Sequence, residues 1–255
     1  MTDKERLIHA YGNGLTFKDG NLLTPSQFFS RQPEPNAFQR LRCRLALSRW
    51  HSSLLTRKFN RRCLDLVGAG SGLLALSPLL LTTALLIRLE SRGPILFRQT
   101  RIGLNGEEFV MYKFRSMSTD AEKQRAALEQ QNESADGVLF KMKADPRITR
   151  VGRIIRRLSI DELPQLLNIL KGDMSIVGPR PAIPGEVDQY DMQARKRLQA
   201  KPGLTCLWQI SGRSELSFSQ QVELDIRYLQ SRSMTKDLKI IALTVPAVVT
   251  GKGAY

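Results

Sequence analysis

The chain has 255 residues, enough for one good-sized domain and an extension. Its net charge of +15 indicates a polyanionic partner such as anionic lipid or phosphorylated substrates; nucleic acid is disfavoured, because aromatic residues make up only 7% and no RNA-binding or zinc-finger motif occurs. Three widely spaced cysteines suggest neither a disulfide framework nor a zinc site. Both histidines lie within the first 51 residues, which excludes histidine-based acid–base chemistry in the rest of the chain.

Residues 1–57 form an N-terminal extension to which the sequence assigns no role. Its first 30 residues are polar and lack the apolar core of a cleavable signal peptide, so none is expected. The stretch from Phe38 to Leu55 predicts a basic amphipathic helix of the kind that lies at a membrane interface.

One apolar run, from Leu64 to Ile87, holds 24 residues with Asp65 as its only charge. It is long enough to span a bilayer if straight. However, basic residues flank both ends, which favours the same membrane face for each, and Pro78 removes a helix hydrogen bond while Ser77 can bond to the freed carbonyl. Residues 58–92 are therefore predicted to form a re-entrant membrane helix kinked at Ser77-Pro78. A spanning helix with a proline kink and a buried soluble helix are the alternatives.

Residues 93–255 are predicted to form the larger domain of the chain. Two short strands are expected around a hairpin turn, and three helices follow, of which the last two have apolar faces. The predicted strands are 94–97 and 108–112 around the turn at 103–106, and the predicted helices are 164–170, 218–229 and 238–249. The fold class is therefore α+β and mainly helical, with a small β element and interfacial amphipathic helices.

An adjacent carboxylate pair, Asp161-Glu162, follows two arginines at the predicted start of a helix. Such a pair can hold a metal or attack a phosphorus, and arginines can hold phosphates. A structural interpretation stands beside this one: Ser159 and Glu162 match a capping box, and acidic residues near a helix N-terminus are stabilised by its dipole. The two interpretations can coexist, since a helix N-terminus also attracts phosphate.

Four basic residues are candidates for binding substrate phosphate or nucleotide. Arg180 lies between two prolines, so its backbone is fixed, and Arg156 precedes the carboxylate pair by five residues. Lys113 and Arg115 alternate along a strand and are expected to point to one face. The alternatives are a surface turn for Arg180, pairing with a carboxylate for Arg156, and a solvated strand face for Lys113 and Arg115.

These motifs closely resemble those of the bacterial sugar transferases, the monotopic phosphoglycosyl transferases that start glycan assembly on polyprenyl phosphate. The resemblance runs from about Lys58 to the end of the chain. The matching blocks, in order, are Ser77-Pro78, Gly93-Pro-Ile-Leu-Phe-Arg-Gln99, Tyr112-Lys-Phe-Arg-Ser-Met117, Asp145 to Gly152, Arg156 to Asn168, Gly172 to Pro181, Lys201-Pro-Gly-Leu-Thr205, Leu207 to Arg213, Leu224-Asp225 with Tyr228, and Gly253-Ala-Tyr255. One departure is Cys206, where the family usually has glycine.

The resemblance implies transfer of a sugar 1-phosphate from a UDP-sugar to polyprenyl (undecaprenyl) phosphate, which gives polyprenyl-diphosphate-sugar and UMP. It implies a Mg2+-dependent enzyme in which Asp161 is the nucleophile of a covalent aspartyl intermediate, and in which Asp161 and Glu162 hold the metal. The implied location is the bacterial inner (cytoplasmic) membrane, with residues 93–255 as the catalytic domain on the cytoplasmic face. The implied role is the first step of exopolysaccharide, capsule or O-antigen assembly.

Two rival functions remain open at the level of sequence. A non-enzymatic adaptor would dock its basic surface and apolar helices on anionic membrane lipid. A spanning phosphotransferase would use a nucleotide donor without a covalent intermediate. The sequence does not identify the sugar or the glycan pathway, and it leaves open whether the chain forms a homo-oligomer.

Overall fold

The computed structural model describes residues 17–18, 21–22, 37–121, 123–124, 142, 145–213 and 216–250. The chain divides into two compact units, Met1–Arg57 and Lys58–Tyr255. The described part of the first unit contains a short antiparallel pair, β1 (Phe17–Lys18) and β2 (Asn21–Leu22), and the beginning of α1 (Ala37–Ala75). The stretch from 38 to 55, predicted as a separate helix, is therefore part of one 39-residue helix. The motif block at 253–255 lies outside the described residues.

The apolar run is bent at the position that the sequence predicts. The final segment of α1, Leu55–Ala75, and α2 (Ser77–Glu90) make an angle of 61°. Pro78 has no N–H to donate to the carbonyl of Leu74, and the hydroxyl of Ser77 donates to that carbonyl instead at 2.8 Å. In the described part of the chain, no single helix is both long and apolar enough to cross a membrane, whereas these two segments meet that criterion as a bent pair. Re-entry into a membrane stays a prediction.

The β element is an antiparallel hairpin of β3 (Leu96–Ile102) and β4 (Glu108–Phe114), in which Leu96 pairs with Phe114 and Ile102 with Glu108. A short 3₁₀ turn joins the strands, and Asn105 and Gly106 in it have φ angles of 57° and 87°. Asparagine and glycine adopt such left-handed angles at low cost, which explains why this turn forms here. The predicted hairpin is confirmed, with both strands longer than expected.

A helical segment then carries the carboxylate pair. Thr149 caps α3 (Arg150–Arg157) by accepting a hydrogen bond from the amide of Gly152 at 2.9 Å. A 3₁₀ helix, Ile160–Gln165, and α4 (Leu166–Lys171) follow. The α-helix predicted from 164 to 170 is thus partly wrong, because Pro164 lies inside a 3₁₀ helix and the α-helix begins only after it.

The remaining elements follow in chain order after α4. They are β5 (Ser175–Val177), α5 (Pro184–Val187), α6 (Met192–Arg195), a 3₁₀ helix (Lys196–Gln199), β6 (Gly203–Thr205), a 3₁₀ helix (Trp208–Ile210), α7 (Phe218–Gln230) and α8 (Met234–Thr250). The parallel pair formed by β5 and β6 was not predicted. The two C-terminal helices were predicted and are confirmed.

Two apolar clusters fix the helical segment against β4. Met111 packs with Leu166 and Ile169 of α4, and this cluster also includes Ala69 of α1. Phe114 packs with Ile155 of α3, in a cluster that includes Ile87 of α2. Because β4 contacts the segment on both sides of the 3₁₀ helix, residues 161 and 162 are held beside Lys113.

Candidate active site

The carboxylate pair lies in the 3₁₀ helix, and the residue just before that helix has a left-handed backbone conformation. Ser159 has a φ of 53°, and its side chain makes no capping hydrogen bond. The amide of Glu162 donates to the backbone carbonyl of Ser159 at 3.3 Å. The predicted capping box is therefore wrong: Glu162 does not reach back to its own helix terminus.

Glu162 instead forms an ion pair with a residue of β4. The Nζ atom of Lys113 donates to Oε1 of Glu162 at 2.7 Å. Burial favours the neutral form of Glu162, but the charge and hydrogen bond of Lys113, with the charges of Arg180 and Arg101, outweigh it and lower its pKa. Glu162 is therefore anionic at neutral pH.

Asp161 is in a different electrostatic environment. Its residue surface is 8% exposed, and burial raises its pKa to about 6, against the positive charges of Lys113 and Arg156 and assisted by the negative charge of Glu162. At pH 7 the carboxyl is still mostly ionised, since one pH unit above the pKa leaves about ten anions for each neutral group. Two neighbouring carboxylates thus have different pKa values and are suited to different roles.

Two of the predicted basic residues act on this pair besides Lys113. Arg156, in the last turn of α3, lowers the pKa of Asp161 by its charge. Arg180 follows β5, and its Nη1 atom lies 3.2 Å from a carboxylate oxygen of the buried Glu186. Its charge also lowers the pKa of Glu162. The structure therefore brings Lys113, Arg156 and Arg180 into the electrostatic environment of the carboxylates.

Arg115 has a different set of contacts. Its guanidinium donates to the carbonyl of Ser91 at 2.9 Å, to the hydroxyl of Ser91 at 2.8 Å and to the carbonyl of Arg92 at 3.1 Å. It is buried, and it joins the end of β4 to the residues that follow α2. These contacts stabilise the fold, and phosphate binding by Arg115 stays a prediction.

Arg101 is a site residue that the sequence reasoning missed. It is buried and donates to the carbonyl of Pro181 at 2.9 Å and to Oε1 of Gln99 at 2.7 Å. Burial, and then the positive charge of Arg180, lower its pKa to about 10, so it remains a cation. Gln99 and Arg101 alternate along β3 and so share one face, but the strand predicted from the sequence ended at residue 97 and gave no signal for Arg101. Arg101 adds a fixed positive charge next to the turn that carries Arg180.

The carboxylate pair also fits a magnesium ion. Among the described residues, no group of three or more histidine, cysteine or acidic side chains is arranged to hold a metal. Mg2+ does not require such a group, because it usually keeps several waters and takes one or two carboxylates together with substrate phosphates. Asp161 and Glu162 provide hard oxygen donors of this kind.

Comparison with known proteins gives a consistent result. A family model described as "bacterial sugar transferase" matches residues 56–251. The chain is 45% identical over 205 residues to the galactosyl transferase CpsE of Streptococcus agalactiae, covering 80% of this chain but 44% of that protein. It is 42% identical to the exopolysaccharide production protein ExoY of Sinorhizobium fredii, over 77% of this chain and 88% of that protein. It is 44% identical to a UDP-glucose:undecaprenyl-phosphate glucose-1-phosphate transferase of Caulobacter vibrioides, over 76% of this chain and 72% of that protein.

Proposed function

The chain belongs to the bacterial sugar transferase family, and from that premise we propose that it transfers a sugar 1-phosphate from a UDP-sugar to polyprenyl (undecaprenyl) phosphate and releases UMP. The observation that carries the proposal is the carboxylate pair with separated pKa values, placed among Lys113, Arg156 and Arg180. Relatives named for this reaction and for exopolysaccharide production support it. The product, polyprenyl-diphosphate-sugar, would begin a surface glycan.

In the first step, a carboxylate oxygen of Asp161 attacks the phosphorus that carries the sugar. An O–P bond forms to Asp161, the P–O bond to UMP breaks, and UMP leaves with the bonding electron pair. Asp161 is suited to this because it is ionised without a general base, while burial reduces its hydration and raises its pKa. The result is an acyl phosphate that bears the sugar.

In the second step, a phosphate oxygen of the lipid acceptor attacks the same phosphorus. The new O–P bond forms the diphosphate, the bond to Asp161 breaks, and the carboxylate is regenerated. Splitting the transfer in this way lets a water-soluble donor and a lipid acceptor use one site in turn.

The surrounding charges have distinct tasks in both steps. Lys113 keeps Glu162 anionic and in one orientation, and Arg180 and Arg101 present positive charge beside it. Bound Mg2+, held by Asp161 and Glu162 with the substrate phosphates, would neutralise phosphate charge near the nucleophile. The kinked apolar helix would place the domain on the cytoplasmic face of the inner membrane, where the lipid acceptor is.

Release of UMP tests the proposal. We expect the solubilised protein, given undecaprenyl phosphate and a panel of UDP-sugars, to release UMP with at least one donor. We expect Asp161→Asn to lose several orders of magnitude of activity, because the amide is nearly isosteric but a very poor nucleophile. Asp188→Asn, at an exposed position, is the matched control and should keep wild-type activity.

Three results would contradict parts of this proposal. No UMP release with any donor would favour the non-enzymatic adaptor. Activity of Asp161→Asn above about a tenth of the wild-type value would exclude a covalent nucleophile. Full activity in excess EDTA, where we expect loss and recovery on adding Mg2+, would exclude the metal.

A further inference from the structure

One turn of α1, just before the apolar run, is bonded to the elements that carry the active site. Arg62 donates from Nη1 to the carbonyl of Ile169 at 2.6 Å and from Nη2 to that of Leu170 at 2.7 Å. These carbonyls belong to the last turn of α4, where a cation is favourable; the carbonyl of Ile169 also accepts from the amide of Gly172 at 3.1 Å. Because α4 continues directly from the 3₁₀ helix, Arg62 fixes the far end of the segment that carries Asp161.

Asp65, one turn further along α1, is bonded to β5. It is the only charge in the apolar run and is 4% exposed. A single oxygen, Oδ1, accepts from the hydroxyl of Ser175 at 2.9 Å and from the amide of Ile176 at 2.8 Å. Three residues after β5 comes Arg180, so Asp65 fixes the strand that leads into the arginine turn.

Arg61, the residue before Arg62, completes the attachment. Arg61 forms an ion pair with the buried Asp237 of α8 at 2.7 Å. The hydroxyl of Tyr228 donates to the other oxygen of Asp237 at 2.7 Å. Further along α1, Gly68 packs closely on β5. An added Cβ at this position would lie 2.5 Å from a side-chain atom of Ile176. The bent helix pair therefore has a defined position relative to the active-site elements.

The catalytic groups are held to one another by different contacts. Glu162 is bonded to Lys113, and β4 packs on α3 and α4 through Phe114 and Met111. None of these contacts uses Arg62 or Asp65. Loss of either residue should thus change the position of the site relative to the apolar helix more than the geometry within the site.

We propose that Arg62 and Asp65 are positioning residues for the second transfer step, in which the acceptor phosphate attacks the phosphorus on Asp161. This inference rests on the proposed function. The donor is water-soluble and approaches the site by diffusion, so its step tolerates a displaced domain. The acceptor phosphate is confined to the plane of the lipid headgroups, so a domain displaced by about 1 Å slows attack by on the order of a hundredfold.

The test separates the two steps in the full-length protein. In vesicles without acceptor, a single turnover with the UDP-sugar measures UMP release by the first step. In vesicles with undecaprenyl phosphate, steady-state UMP release includes the second step. For Asp65→Ala and Arg62→Met we expect the first rate to stay within about twofold of wild type and the second to fall by on the order of tenfold to a hundredfold.

Matched variants control for charge and for folding. Lys196→Met also removes one positive charge, from an exposed position outside α1 and the residues that flank the apolar run, and it should leave both rates unchanged. Asp65→Asn should restore the second rate, because its amide oxygen can accept both bonds that Oδ1 accepts. If Asp65→Ala is unfolded at the assay temperature, Ser175→Ala is used instead, because it removes one of the two hydrogen bonds to Asp65. It should also keep the first rate and lower the second.

The proposal is overturned if both rates fall together, if neither falls, or if Asp65→Asn behaves like Asp65→Ala. A wild-type protein that transfers sugar phosphate but releases no UMP without acceptor would refute the covalent mechanism, and this inference with it. The wild-type reaction therefore distinguishes failure of the proposed function from failure of the positioning role.

Discussion

Two adjacent carboxylates in the 3₁₀ helix have different pKa values because they face different charges. Glu162 is in direct contact with Lys113, which stabilises its anionic form. Asp161 has no such direct ion pair among its described contacts, and burial raises its pKa to about 6. The neighbouring negative charge of Glu162 contributes to that rise. The negative charge of Glu162 therefore makes Asp161 more basic. Once Asp161 is ionised, it is also more nucleophilic.

The raised pKa of Asp161 predicts a pH dependence for the first step. The nucleophile is the anion, so the rate should be constant above about pH 7 and fall tenfold per pH unit below about pH 6. Single-turnover UMP release without acceptor is the suitable measurement, because the acceptor phosphate itself titrates near pH 6. A constant rate from pH 7 down to about pH 4.5 would show that the pKa of Asp161 is not raised in the working enzyme.

Lys113 should determine the pH at which the first-step rate begins to fall. Its positive charge lowers the pKa values of both Asp161 and Glu162. In Lys113→Met both pKa values rise, so the fall in first-step rate should begin at a higher pH than in wild type. Lys171→Met is the control, since Lys171 donates to the hydroxyl of Tyr112 and not to either carboxylate. A pH profile of Lys113→Met that coincides with wild type would contradict this electrostatic role.

At the level of elements, α3 is placed by a close backbone contact. An added Cβ on Gly152 would lie 2.0 Å from the carbonyl oxygen of Ser116. This residue lies in the first turn of α3, and the same helix ends next to the 3₁₀ helix with the carboxylates. The glycine therefore allows α3 to approach the residues that follow β4.

We expect Gly152→Ala to lower the free energy of unfolding by about 1–3 kcal/mol, because backbone atoms must move to admit the methyl group. Thermal melting measures the change. Gly185→Ala in α5 is the control: nothing lies within 4 Å of its added Cβ, so its melting temperature should stay near the wild-type value. Equal melting temperatures for both variants would mean that α3 can move to admit the methyl group without loss of stability.

Local chemistry explains which elements the sequence could predict. The bend follows from the missing N–H of Pro78, and the hairpin follows from the turn preferences of Asn105 and Gly106. The pair of β5 and β6 depends on residues far apart in the chain, so no short pattern signals it. The capping-box prediction failed for the same reason, because Lys113 from a distant strand takes the carboxylate of Glu162.

The candidate site shows a similar limit. Asp161, Glu162 and Arg180 were identifiable because they stand in unusual local sequences. Arg101 was not, since its significance depends on the carbonyl of Pro181, which is distant in sequence. The contacts of Arg115 with Ser91 were likewise invisible, because they require the end of α2 to lie beside the end of β4.

Over the whole molecule, the positive charge and the bent apolar helix favour attachment to one face of an anionic membrane. The net charge is +15, and basic residues flank the apolar run at both ends. The bend of 61° directs α2 away from the line of α1. If both ends of the helix pair remain on the same face, the polar residues Arg62 and Asp65 lie at the entry point and the active-site elements bonded to them lie near the headgroups.

We therefore predict that residues 1–60 and 90–255 share the cytoplasmic side. Single cysteines at positions 30 and 120, in a chain without the three native cysteines, should both resist an impermeant thiol reagent in intact cells and both react after lysis. A spanning helix would instead expose position 30 alone to the reagent.

Replacing Ser77-Pro78 with Ala-Ala restores the missing helix hydrogen bond, so it should straighten the helix pair, shift position 30 toward labelling and reduce sugar-phosphate transfer. If the Ala-Ala variant keeps wild-type labelling and turnover, the bend is not what holds both ends on one side, and the flanking positive charges alone would account for the topology.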